Sequence, residues 1–279
     1  MPLFHPDILK KLTESPSNIP EKHSQIISNW EKSITDGSIL KIKETSLRSD
    51  FIHKILVEIL GYKTFTSEGN SFSLFEEYPL GSGSVDVALG TFHKKGSEKA
   101  SIVAPFELKG AKTKDLDAVM PGRNKTPVQQ AWEYGMDAKG AKWVLLTNYL
   151  EIRLYAIGYG RKDYEKFDLS RLSDPVEYTR FLEILSKDNL LGEKSINLLR
   201  ESERVGKVIT NKLYKDYKDL RNRLITNIGK ENPKISSLDI ISYTQTILDR
   251  VLFIAFAEDK KLLPADSLKL AFETKNPYN

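Results

Sequence analysis

Apolar positions recur first every three to four residues, then every second residue, then every three to four again, and these changes of period divide the chain. A polar leader runs to about residue 19. Helical spacing then predicts one helix over 21–35 and a long one over 40–60, whose buried face carries Leu47, Phe51, Ile55 and Ile59. Residues 84–89 and 101–108 are rich in branched apolar side chains and flank the charged, turn-like stretch 93–99, so they predict an antiparallel hairpin with a longish loop. Shorter runs at 74–76 and 78–80 extend the sheet, and 143–146 with 151–156 complete it around a tight turn at Asn148-Tyr149. Before that turn, Thr126-Pro127 gives the cap and first-turn signals of a helix through 128–134. From about 175 onward the period is helical. The expected architecture is α/β, a mixed central sheet flanked by helices and followed by a helical C-terminal region, with one domain over 1–170 and a second over 171–279.

Composition narrows the chemistry. At 279 residues and 40% hydrophobic, the chain can bury one substantial core and a smaller helical unit. It has no cysteine, which excludes disulfides and thiolate-bound zinc. Its four histidines, His5, His23, His53 and His93, form no ligand pair, which argues against histidine-metal nucleases and triad hydrolases. The first residues do not read as a signal peptide, and the longest apolar run, 251–257, is short for a bilayer. A soluble, cytoplasmic protein that does not contact membrane is expected.

The informative residues are Asp86 and, about twenty positions later, Glu107-Leu108-Lys109. Alternation along a strand sends Glu107 and Lys109 to one side and Phe106 and Leu108 to the other, while the neighbouring strand brings Asp86 alongside. The flanks Val85, Val87, Pro105, Phe106 and Leu108 are apolar, and a charge buried without compensation costs several kcal/mol, roughly. A divalent ion held by Asp86 and Glu107 answers that cost, and magnesium is the natural choice for hard oxygen ligands. Lys109 can orient the attacking water, lower its pKa or stabilise developing negative charge. On the helix after Thr126, Gln130 and Tyr134 lie four apart on one face, positioned to reach a phosphate or base at the rim.

Asp86, Glu107-Leu108-Lys109 and Gln130-x-x-x-Tyr134, in that order, resemble the PD-(D/E)xK nuclease superfamily, in its branch with a trailing QxxxY motif. The resemblance covers about residues 40 to 160. It implies a restriction-endonuclease-like core and places Glu44 at the position of a first-helix glutamate that often joins the metal site. It also implies Mg2+ at Asp86 and Glu107, with the Leu108 carbonyl as a further ligand, Mn2+ as a substitute and double-stranded DNA as substrate. Val85 stands where the motif has proline, a position that supplies no ligand. Residues 247–259 with Leu262-Leu263-Pro264 resemble the helical connector of single-chain Type IIG restriction-modification enzymes. This implies methyltransferase and target-recognition domains as partners in a longer chain. Asn276-Pro277-Tyr278 echoes an N-P-P-Y methyltransferase motif, but it lacks one proline and no glycine-rich cofactor loop precedes it.

Two basic stretches bear on nucleic acid. Between Arg204 and Lys230 eight Lys and Arg stand against Asp216 and Asp219, with Ile209, Leu213, Tyr217, Leu220 and Leu224 at helical spacing, as in a phosphate-tracking helix or an ordinary solvated one. Lys109, Lys112 and Lys114, with Arg123 and Lys125, flank the proposed site on a loop. The expected activity is that of a magnesium-dependent DNA endonuclease. Rivals are a repair exonuclease, a translocating restriction subunit whose motor lies elsewhere (no Walker-type phosphate loop is present), and a non-catalytic DNA-binding or assembly module.

Overall fold

The computed structural model describes residues 2–81, 83–95 and 99–274. Asn276-Pro277-Tyr278 and part of the charged stretch 93–99 lie outside them. The chain divides into two compact units, Met1–Val205 and Gly206–Asn279.

The first unit is built on a six-stranded mixed sheet whose strands follow one another in chain order. β1 (Ser71–Leu80), β2 (Gly83–His93) and β3 (Ser101–Leu108) form an antiparallel meander. β4 (Trp143–Thr147) lies parallel to β3, and β5 (Glu151–Ala156) and β6 (Glu165–Asp168) continue antiparallel. The parallel step requires a crossover. Helix α4 (Pro127–Asp137) lies within that connection. The runs 74–76 and 78–80 are one strand, with Glu77 between them at φ 52. β6 was not expected, because a four-residue run beginning Glu-Lys carries too little alternation to register as a strand.

Proline in an interior strand needs an explanation, since it has no N–H to give the ladder. Pro105 is opposite Ala88 of β2, and on its other flank the β4 ladder begins only at Phe106. The missing donor is therefore not called on by β4.

The N-terminal region is more structured than a polar leader. α1 (Pro6–Leu12) buries Ile8, and Leu3 and Phe4 join the main core. Seven residues are too few to display a period. α2 (Glu21–Thr35) falls where expected. The long helix expected over 40–60 is broken: a short 3-10 turn (Ser38–Lys41) is followed by extended backbone at Ile42 and Lys43, and α3 (Glu44–Asp50) runs on into wider π-type turns over Phe51–Ile59. The break lets Ile39 and Leu47 enter the same core from either side of it. Phe51, fully buried, packs its ring against Trp30, Phe106 and Tyr149 at centroid distances of 5.9, 5.9 and 5.3 Å. This ring ties α3 to β3 and to the β4–β5 turn, and truncating such a phenylalanine costs roughly 3–5 kcal/mol.

α4 (Pro127–Asp137) starts with a complete capping box, in which the Thr126 hydroxyl accepts from Gln129 N–H and the Gln129 side chain accepts from Thr126 N–H. Val128, Ala131, Trp132 and Gly135 of this helix are buried, and Gly135 lies so close to Val144 of β4 that a Cβ there would collide with it.

The boundary expected at 170 falls too early. α5 (Pro175–Leu185), α6 (Lys187–Leu191) and the start of α7 (Lys194–Glu231) give Tyr178, Phe181, Ile184, Leu190 and Leu199 to the same core as the sheet. The second unit contains the rest of α7, then α8 (Ser237–Asp259) and α9 (Ser267–Glu273). α8 contains an 18-residue stretch of mean hydropathy 1.3 and is long and apolar enough to cross a membrane by length and composition, which the uninterrupted run 251–257 alone did not reveal. Asp249 and Arg250 interrupt it, and each would cost roughly 2.5–3.5 kcal/mol at the centre of a spanning helix.

Candidate functional site

Asp86 and Glu107 meet because the β2–β3 register brings them there. The ladder closes at Val87 opposite Phe106, and these two acids are the next residue on each strand. Asp86 Oδ2 accepts the main-chain N–H of Leu108 at 2.8 Å, which fixes one carboxylate oxygen against the opposite strand. The Leu108 side chain enters the main core with Phe106. Glu107 and Lys109 are buried polar residues, at 3% and 9% exposure.

The charges are partly balanced within the chain. Lys109 Nζ pairs with Glu107 Oε1, and Arg48 Nη1 lies 3.6 Å from Asp86 Oδ1 while Arg48 Nη2 donates to the Asp86 carbonyl at 2.9 Å. A divalent ion is the partner that the apolar flanks suggest for these charges. Lys109 and Arg48 supply part of the compensation. The remainder is still unfavourable: burial first, and then the neighbouring Asp86 carboxylate, push the Glu107 carboxyl up to about 7, against the lowering pull of Lys109.

Gln130 belongs to the same network. Its Oε1 accepts from Lys109 Nζ at 3.0 Å and from Arg123 Nη1 at 3.2 Å, so the helix after Thr126 and the loop before it converge on the lysine. Tyr134, one turn on, is half-buried, and a Cβ at Gly83 of β2 would stand 3.5 Å from its hydroxyl. Burial and then Glu107 raise its phenol. Glu44, at the start of α3, is exposed, and its Oε2 would lie 3.5 Å from a Cβ at Gly110, the residue after Lys109. Asp86, Glu107, Lys109 and Gln130 thus form a bonded or directly opposed set, with Tyr134 and Glu44 at its margins. Lys125, expected to face phosphate, is instead paired with Glu133 at 2.6 Å.

Arg48 and Tyr149 also contribute to the site. Arg48 lies one helical turn beyond Glu44, so a shared helix face was the available signal. Tyr149 sits in the β4–β5 turn at φ 65, fully buried, and its hydroxyl has no hydrogen-bond partner among the described residues. Burial, then Glu44, Asp86 and Glu107, raise its phenol, while Arg48 acts in the opposite sense. No sequence pattern marks an orphaned hydroxyl.

The donor set fits a hard divalent ion. Two carboxylates converge, one of them unfavourably ionised, and an unsatisfied buried hydroxyl lies within their electrostatic reach. Among the described residues no group of three or more acidic or histidine side chains could hold a metal alone. Main-chain carbonyl and water oxygens would have to complete such a site, as magnesium commonly requires. No protein-family model, curated protein or solved structure matches this chain.

Proposed function

We propose that this chain is a metal-dependent DNA endonuclease module, hydrolysing phosphodiester bonds as the cleavage part of a restriction-modification enzyme. The observation that carries this reading is the buried Glu107 beside Asp86, with its carboxyl at about 7 and Lys109 joined to both Glu107 and Gln130. Asp86 and Glu107, with the Leu108 carbonyl, would hold Mg2+, and Mn2+ would substitute. The ion, when bound, neutralises charge on the phosphate and makes an attacking water more acidic.

The chain's own residues do the rest. The Asp86 carboxylate is oriented by the Leu108 N–H on Oδ2 and by Arg48 Nη1 near Oδ1, so its remaining lone pairs have a fixed direction. Lys109, held between Glu107 and Gln130, is a positioned ammonium that orients water or stabilises charge developing on phosphate. Tyr134 and Glu44 border the site and contact substrate or outer water. The resemblance of 247–264 to a Type IIG connector favours methyltransferase and target-recognition domains as the partners that choose the sequence.

A second reading, a DNA-binding or assembly module without turnover, is favoured by the closed pairing of Glu107 with Lys109 and of Asp86 with Arg48. Nicking of supercoiled plasmid separates the two. Conversion to open circle is expected with Mg2+ or Mn2+ and not with chelator, and a closed circle as substrate excludes an end-requiring exonuclease. DNA binding indifferent to divalent ions, with no nicking in either metal, would support the second reading.

A further inference from the structure

Next to the site is a cleft of about 570 Å³ walled by three separate segments, 39–47, 109–113 and 120–123. It takes Lys109 and Glu44 from the site and adds Lys41, Lys43, Lys112 and Arg123. Five cations therefore face one carboxylate. Lys41, Lys43 and Lys112 are exposed, and Lys43 and Lys112 make no salt bridge among the described residues. The loop wall is held in shape by Thr113 N–H donating to Gly110 O and by Asn148 Nδ2 donating to Thr113 O, at 2.8 and 2.9 Å.

A smaller cleft of about 240 Å³ is lined by Gln130 and also includes Arg123. Its charges cancel: Arg123 and Lys125 face Glu133 and Asp137, and Lys125 is already bound to Glu133. The two clefts that share Arg123 therefore differ in charge.

We propose that the larger cleft binds the phosphodiester backbone of duplex DNA on one side of the bond to be cut, with Lys41, Lys43 and Lys112 as phosphate contacts and Arg123 at the junction with the site. The neutral cleft faces the sugar and base side. This inference rests on the nuclease reading for the identity of its ligand, and it specifies how the strand approaches. A groove with three exposed lysines beside a charge-balanced groove gives the backbone one electrostatically favoured path.

The test is the salt dependence of binding to a short duplex of fixed sequence, followed by fluorescence anisotropy in chelator so that no strand is cut. Each phosphate contact contributes about 0.9 to the slope of log affinity against log salt. K43Q/K112Q should lower the slope by about 1.8, so that between about 50 and 200 mM salt the wild type loses roughly twelve-fold more affinity than the variant does. K10Q/K11Q, which removes two exposed lysines of α1, should leave the slope unchanged. An unchanged slope in K43Q/K112Q, or an equal fall in both variants, overturns the cleft assignment. If nicking still depends on Glu107 in that case, the nuclease reading stands without the cleft. A wild-type chain that neither binds duplex nor cuts it overturns both.

Discussion

Glu107→Ala and Lys109→Ala should each reduce plasmid nicking by roughly 10²–10⁴-fold, the range for losing a positioned acid–base or charge-stabilising group. Both variants should fold, for different reasons. Removing Glu107 relieves a carboxylate whose ionisation the metal-free site disfavours. Removing Lys109 leaves that carboxylate without its ammonium, but a group already at about 7 accepts a proton near neutrality, so no bare charge has to remain buried. Circular dichroism and thermal melting, run beside the nicking assay, separate lost chemistry from lost fold. Retained nicking in either folded variant removes the assigned roles.

The second large effect is on stability against pH. The Glu107 carboxyl is raised from 4.5 to about 7 in the folded chain. For a raised carboxyl the contribution to stability is fully present below about 4.5 and is lost as pH rises through about 7. At about 1.4 kcal/mol per pKa unit, the wild type should lose about 3 kcal/mol from this group between pH 4.5 and 8. Glu107→Gln mimics the protonated acid and still offers Lys109 an acceptor, so its stability should lack that fall. At pH 8 it should be the more stable protein without metal. Saturating Mg2+ should reverse the order, since a ligand bound only by the folded state stabilises it in proportion to RT ln(1 + [L]/Kd). Urea unfolding of both proteins at the two pH values, with and without Mg2+, measures these differences. Parallel pH dependence in the two proteins would mean that Glu107 is not the strained group.

The strands that carry the site could be read from the sequence because each has a clear apolar run bounded by turn residues. The pairing followed from the charged, turn-like connection between them, and the capping box of α4 was visible in Thr126-Pro127. What escaped was set by tertiary contacts. The extended break at Ile42-Lys43 lies inside an unbroken helical period, so only the packing of Ile39 and Leu47 reveals it. The domain limit moved to 205 because α5 and α6 bury their apolar faces on the sheet core, which a helical period alone cannot indicate. Within the site, Asp86, Glu107 and Lys109 stood out as charges set among branched apolar residues. Arg48 and Tyr149 did not, since one is an ordinary arginine on a helix and the other a turn tyrosine. Their importance lies in which groups they approach.

The proposed nuclease chemistry depends most directly on divalent-ion binding at the 86/107 pair, and calorimetric titration of the metal-free protein with Mn2+ at pH 8 measures it without requiring turnover or further domains. The wild type should bind Mn2+ at this site, and Asp86→Ala and Glu107→Gln should each abolish that binding while remaining folded. Binding that persists unchanged in both variants, or no binding by the wild-type chain, would contradict the account.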